Sequence, residues 1–309
     1  VSLLTLEGFG LAVPYGRSWR TLVEQVDLTI GRGEAVGLVG ESGSGKSMTA
    51  RAVIGLTPPG ARVTGRIVFD GAEVPSGREL RRLRAKRIAM IFQDPRAHIN
   101  PVRSVGDFLT EAMVHNLRMP VRQASARAVQ LLKEVGITDG ERRLRQHPHE
   151  LSGGLLQRVM IASVLAVEPD LVLADEPTTA LDVTTQSEVM AILDELRREH
   201  GMAMLLITHD LELAAATCDR LAVMYAGRIV EDLDGEPRHP YTRGLMRSRP
   251  SLEGTVHRLP VIPGRPVAAF EAEEGCAFAP RCDLAEPRCR ESRPPSVRGV
   301  ACLRAEETA

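Results

Sequence analysis

The stretch Gly40-Glu41-Ser42-Gly43-Ser44-Gly45-Lys46-Ser47 constrains this chain more than any other. It fits G-x-x-x-x-G-K-[ST], a phosphate-binding loop pattern. The glycines let the backbone curl so that successive N–H groups point inward at phosphate oxygens. Lys46 is of the right length to reach β- and γ-phosphates, and the Ser47 hydroxyl is a ligand for Mg²⁺. Residues 34–39 before the loop read as a short buried strand. Residues 47–56 after it read as a helix whose N-terminus favours anions. The chain has three lysines against thirty-six arginines, yet a lysine stands here, where a compact ammonium on a flexible stem is wanted.

With 309 residues the chain can bury a sizeable core, and one large plus one small domain is the natural division. Charged residues make up 26% and the formal net charge is −1, which argues against disorder and against a general nucleic-acid binder. Aromatics at 3% leave little for base-stacking platforms. No run of about 18 apolar residues exists, so no membrane span is expected. Val1-Ser2-Leu3-Leu4 lacks the basic-then-apolar pattern of a signal peptide, and a cytosolic protein is expected. Four of the five cysteines crowd into the last 34 residues. In a reducing compartment that favours a metal or cluster site over disulfides.

Along the chain, residues 4–7 and 22–30 alternate apolar and polar positions as strands of a half-buried antiparallel sheet. Tyr15 and Trp19 lie between them, and either is placed to stack on adenine, with Tyr15 preferred. Residues 62–70 and 87–92 read as strands, and the basic run 78–87 as a solvated helix with one apolar edge at Leu80 and Leu83. Gln93 leaves its strand into the turn at Pro95, where a Gln can ligate Mg²⁺ and orient water. From about 104 to 145 the periodicity is helical, with Gly136 as a stop. Ser152-Gly153-Gly154 opens a further helix and makes a second anion-favouring N-terminus. Residues 171–176 form an apolar strand ending in Asp175 and Glu176, at the edge where open α/β sheets bind ligands. Asp175 suits Mg²⁺ through water, and Glu176 can polarise an attacking water. Asp182 reads as a helix cap. His209 stands at the end of the strand 202–208.

Together GESGSGKS (40–47), IFQDP (91–95), LSGG (151–154), LVLADEP (171–177), ALD (180–182) and ITHDL (207–211) resemble the nucleotide-binding subunit of an ATP-binding cassette (ABC) transporter, over about residues 1–235. HPYTRGLM (239–246), IPGRP (262–266), GCAFAPRC (275–282) and ACL (301–303) are similar to the C-terminal extension of oligopeptide and dipeptide importer ATPases. The resemblance implies an α/β phosphate-loop ATPase with a mixed sheet core, an antiparallel N-terminal sheet and a helical subdomain at about 97–165. A small irregular C-terminal domain, 236–309, would follow. It implies hydrolysis of ATP with Mg²⁺, at sites built head to tail with a second ATPase subunit, with a heterodimer favoured. Lys46, Gln93, Asp175, Glu176 and His209 of one chain would face Ser152, Gly153, Gly154 and Gln157 of the other, with Asp182 helping to position the opposite site. Ser47, Gln93 and Asp175 would hold Mg²⁺, and Tyr15 with residues 40–47 the nucleotide. Partners would be two transmembrane permease subunits and, indirectly, an extracytoplasmic substrate-binding protein, with no nucleic acid. The place of work would be the cytoplasmic face of the membrane.

Two departures stand out. Leu155-Leu156 follow the signature glycines, where the family has polar residues, and Arg96 and His98 replace small or apolar ones. Cys276, Cys282, Cys289 and Cys302 are spaced C-x5-C-x6-C-x12-C, which is not the paired pattern of a zinc ribbon. Four thiolates still suit a [4Fe–4S] cluster, which the resemblance favours, or zinc. Unligated thiols remain the plain alternative. Rival readings of the whole chain are a soluble cassette ATPase uncoupled from transport, a degenerate regulatory subunit, and the same subunit serving nickel or an oligosaccharide.

Overall fold

A computed structural model describes residues 1–179, 181–248, 261–272 and 274–305. In chain order its elements are β1 (Ser2–Tyr15), β2 (Ser18–Gly31), β3 (Ala35–Val39), α1 (Lys46–Val53), β4 (Arg62–Phe69), β5 (Ala72–Glu73), α2 (Gly77–Lys86) and β6 (Ile88–Ile91). There follow α3 (Pro95–His98), α4 (Val105–His115), α5 (Val121–Glu134), α6 (Gly140–Leu144), α7 (Gly153–Leu165), β7 (Leu171–Asp175) and α8 (Val183–Glu199). The last are β8 (Ala203–Thr208), α9 (Leu211–Thr217), β9 (Arg220–Tyr225), β10 (Arg228–Leu233), α10 (Pro240–Arg247) and α11 (Arg288–Glu291). Of the ALD motif, Ala180 lies outside the described residues, as do 249–260, 273 and 306–309 of the C-terminal segment.

The backbone divides into two compact units. The first takes residues 1, 30–35 and 74–206; the second takes 2–29, 36–73 and 207–309. In the second unit a four-stranded sheet runs in the order β2-β1-β4-β5. β1 is antiparallel to β4, with Leu4 opposite Phe69 and a register shift between Glu7 and Gly10. Such a bulge needs a residue in an unusual conformation, and Gly8 there has φ 55. The same unit holds β10, β9 and β3 as neighbours, β9 parallel to β3 and antiparallel to β10. All of β3 is buried, as its unbroken apolar run requires of a strand covered on both faces. The described part of 236–305 shares this unit's core. Tyr241 and Phe278 join Val39, Leu211, Tyr225 and Leu233 in one buried cluster.

In the first unit β6 lies parallel to β7, Ile88 opposite Leu171, and every residue of β7 is buried. The basic helix α2 buries none of its residues, as a solvated helix should. The helical segment is built from α4 to α7. Ser104 and Asp107 close a capping box at the start of α4. α5 turns one stripe inward, Ala124, Ala128, Leu131 and Leu132, at helical spacing. Gly136, at φ 79, follows its end and supplies the left-handed residue that terminates a helix. In α7 Leu156 is fully buried. That explains Leu156 in the first departure from the family pattern: the position serves the core of this unit, whereas Leu155 is only partly buried.

Candidate functional site

The phosphate loop links the buried β3 to α1, within the second unit. Gly40 has φ +150, and a Cβ placed there would meet the Met224 carbonyl oxygen at 2.1 Å. Gly45, the residue that caps α1, has φ +106, and its Cβ would fall 2.9 Å from the Leu22 oxygen. Only glycine fits either place. α1 is capped by Gly45, which has no side chain to accept from the helix's first N–H groups. Lys46 is 5% exposed, and its ammonium curls back to the carbonyls of Gly40 at 2.7 Å and Glu41 at 2.9 Å. The charge is thus held over the loop that its own backbone forms.

At the adenine side of the sequence reading, the Arg20 guanidinium lies 3.2 Å from the centroid of the Tyr15 ring and 4.8 Å from that of Phe270. Trp19 carries Arg62 at 4.3 Å. Tyr15 and Trp19 are both about half exposed, at 53% and 45%. Phe270 was not legible as a member of this group, because it comes from the distant C-terminal segment.

The acidic strand end lies in the first unit. Asp175, the last residue of β7, is 1% exposed. Glu176 follows with φ 46, a left-handed backbone that costs a non-glycine residue about 1–2 kcal/mol. Gln93 Nε2 donates to Glu176 Oε2 at 2.9 Å, and Thr179 Oγ1 donates to the same oxygen at 2.8 Å. The sequence singled out Gln93 and Glu176, and the structure brings them into contact. Thr179 was missed, since a threonine in a turn carries no signal by itself. Asp94 caps α3 through the Arg96 N–H, and His98 stacks flat on Phe92 at 3.9 Å between centroids. That stack accounts for His98 in the second departure from the family pattern; nothing in the structure explains Arg96.

Ser152 caps α7 by accepting the Leu155 N–H at 3.4 Å. Gly153 and Gly154 are the first two residues of that helix. Gln157 is 2% exposed, and its Nε2 has no hydrogen-bond partner among the described residues. Asp182 caps α8 through Thr185 N at 3.0 Å and also accepts from Thr185 Oγ1 at 2.7 Å. The backbone hydrogen bond from Thr185 heads the causes that hold its pKa below the ordinary value. In the second unit His209 is an exposed residue at the end of β8.

The C-terminal cysteines converge. Cys276, Cys282, Cys289 and Cys302 line one cavity of about 20 Å³ with Leu284, Ala285 and Leu303. Cys276 N donates to Cys289 O at 2.7 Å, drawing two of them together. Burial pushes the Cys282 thiol up to about 11. The donor type and number suit a cluster or zinc, but as placed no three such side chains among the described residues form a group that could hold a metal ion.

A buried strand, a glycine-built loop with a buried lysine, and a second buried strand ending in two carboxylates define a phosphate-loop ATPase. Residues 23–179 match the ABC transporter family, and residues 229–289 match the oligopeptide/dipeptide transporter C-terminal region. The chain is 43% identical over 277 residues to the oligopeptide transport ATP-binding protein OppD of Haemophilus influenzae, covering 87% of this chain and 86% of that one. Against the dipeptide transport ATP-binding protein DppD of Bacillus subtilis it is 44% identical over 269 residues, 84% of this chain and 80% of the relative. Among solved structures, a dimeric ATP-binding cassette in a post-hydrolysis state bound to ADP and Pi superposes with TM-score 0.67 at 29% identity, covering 76% of this chain and 100% of that one. The chain belongs to the ABC transporter family and carries its ATPase domain. No helix among the described residues is long and apolar enough to cross a membrane.

Proposed function

We propose that this chain binds ATP with Mg²⁺ and hydrolyses it to energise an importer of dipeptides or oligopeptides. The observation that carries the reading is the Glu176 carboxylate, fixed by Gln93 and Thr179 in a chain whose phosphate loop is built by Gly40, Gly45 and the buried Lys46. Residues 40–47 bind the phosphates, Lys46 neutralises their charge, and Tyr15 supports the adenine. Ser47, Gln93 and Asp175 would hold Mg²⁺, which when bound draws charge from the phosphate oxygens. Glu176 takes a proton from the attacking water as its oxygen bonds the γ-phosphorus, while the bond from that phosphorus to the β–γ bridging oxygen breaks and ADP leaves with those electrons. His209 keeps the γ-phosphate and Glu176 in register. Ser152, Gly153 and Gly154 act on the ATP of a second ATPase subunit, with Gln157 and Asp182 supporting that surface.

The names of the relatives support the peptide class; two transmembrane permease partners, met at the cytoplasmic face of the membrane, belong to the same proposal. An extracytoplasmic binding protein would deliver the cargo. The test is reconstitution in vesicles with the permeases and a second ATPase subunit. Peptide uptake that requires ATP and is lost with Glu176→Gln supports the reading. Brisk ATP turnover by the chain alone, with no uptake by the assembled complex, supports an ATPase uncoupled from transport.

For the C-terminal cysteines the proposal is a [4Fe–4S] cluster, with zinc as the alternative. All four line one cavity, which supports it, although as placed they do not form a metal-holding group; no step of the reaction runs through it. Anaerobically purified protein should be brown and carry about four iron atoms per chain. One zinc per chain in colourless protein moves the assignment to zinc, and metal-free folded protein rejects both.

A further inference from the structure

The second residue of the phosphate loop is gripped from outside the loop. Both oxygens of the Glu41 carboxylate accept from Arg281, Nη1 at 2.6 Å and Nη2 at 3.0 Å. The Glu41 backbone N–H donates to the hydroxyl of Tyr241 at 2.8 Å. These contacts cross 240 and 200 residues of sequence, and all three residues belong to the same compact unit.

The grip is built rather than incidental. Arg281 is 6% exposed and Tyr241 is fully buried. Arg281 is itself braced: its Nε donates to the Pro263 oxygen at 2.8 Å, and its guanidinium lies 5.8 Å from the Tyr225 ring centroid. Burial opposes its charge, yet the hydrogen bonds to Glu41 and Tyr225 hold its pKa above the ordinary value. Tyr241 packs against Tyr225 at 4.6 Å and Phe278 at 5.4 Å between centroids. A planar fork on a carboxylate fixes orientation as well as distance. A buried pair of this kind is costly to break from one side only.

The same Glu41 offers its carbonyl oxygen to the Lys46 ammonium at 2.9 Å. One residue therefore ties the lysine that meets phosphate to two side chains of the C-terminal segment. We propose that Arg281 and Tyr241 are positioning residues of the ATP site, which hold the Glu41 peptide and carboxylate and so preset the phosphate loop and Lys46 for binding. In this role neither side chain needs to touch the nucleotide. The C-terminal segment is thereby part of the ATP-binding apparatus. Arg281 sits immediately before Cys282, so the short turn Ala279–Arg281 carries this grip next to one of the four thiols.

The inference rests on the assignment of residues 40–47 as the ATP site, and the test separates the two. Mg·ATP binding to the purified full chain is measured by calorimetry, alongside thermal melting, for wild type, Lys46→Ala, Tyr241→Phe, Arg281→Lys, Arg281→Ala and Glu41→Gln. Tyr241→Phe keeps the ring in its aromatic cluster and removes one hydrogen bond. It should weaken ATP binding about 3- to 10-fold while melting stays at the wild-type temperature. Arg281→Ala should weaken binding about 10-fold or more, Arg281→Lys should recover part of that, and adding Glu41→Gln to Arg281→Ala should cost little further. In the assembled ATPase the change should fall on KM for ATP and spare kcat. If Arg281→Ala does not fold, Glu41→Gln and Tyr241→Phe decide alone. Wild-type affinity in Tyr241→Phe and Glu41→Gln, with Lys46→Ala inactive in binding, overturns the inference and leaves the ATP site standing. No binding by the wild-type chain, or undiminished binding by Lys46→Ala, overturns the ATP-site assignment and this inference with it.

Discussion

Two glycine-rich helix starts in this chain look alike in sequence and differ in construction. At residues 40–47 the glycines take conformations closed to other residues, with φ +150 at Gly40 and +106 at Gly45, and a buried lysine lies over the turn. At residues 152–154 the glycines continue an ordinary helix, and Ser152 already caps it by accepting a backbone N–H. The first start carries its own cation, and its capping residue is a glycine with no side chain. The second supplies a helix dipole and a serine, and the arginine that follows it, Arg158, donates to the Val135 carbonyl and to Glu188. A loop of the first kind can bind phosphate by itself; a turn of the second kind adds to a phosphate already held. The trans role proposed for Ser152 follows from that difference.

The largest effect should come from breaking the first construction. Lys46→Ala removes two or more charge-assisted bonds to phosphate at about 2 kcal/mol each, so ATP affinity should fall about 10³-fold. Calorimetry on the purified chain measures it, and retained affinity would show that the backbone alone suffices. Glu176→Gln should leave binding intact and lower hydrolysis by about 10²-fold or more. Single-turnover assays with tight ATP occupancy check this; turnover near wild type would mean that another group accepts the proton.

The loop was legible because its function fixes residue types at fixed spacing: Gly40, Gly45, Lys46 and Ser47. The buried strands β3 and β7 were legible for a similar reason, as apolar runs bounded by the loop and by Asp175 and Glu176. What the sequence hid is a set of contacts, one local and the others across long separations. Thr179 holding Glu176 depends on the left-handed backbone at Glu176. Arg281 and Tyr241 holding Glu41 depend on the seating of a segment that, as sequence, reads as a separate domain. Leu156 reads as a departure from a motif until its burial shows that it serves the core of α7's own unit.

Ser152→Arg probes the second construction. It should spare this chain's own ATP site and damage the partner's. In a pair whose other subunit has lost its catalytic glutamate, residual hydrolysis should persist with Ser152→Arg in place. Loss of that residual activity would place the turn in cis and erase the contrast drawn between the two helix starts.

The smallest effect is expected at Gly154, and it asks why a glycine is there at all. A Cβ at this position would meet Thr185 Cγ2 at 2.7 Å. Thr185 cannot turn away without cost, because its hydroxyl bonds the Asp182 carboxylate at 2.7 Å and so helps cap α8. Alanine itself suits a helix better than glycine, by about 0.5–1 kcal/mol. The clash and the helical gain oppose each other, so Gly154→Ala should change stability by less than about 1 kcal/mol, on the destabilising side. Thr185→Ser keeps the hydroxyl and removes the offending methyl. In that background Gly154→Ala should become stabilising by about 0.5–1 kcal/mol, read as a rise in melting temperature. If the double variant is stabilised and the assembled complex keeps its ATPase activity, the glycine serves the packing of α7 on α8. If it is stabilised and loses activity, the missing side chain leaves room for the phosphate of the partner's ATP.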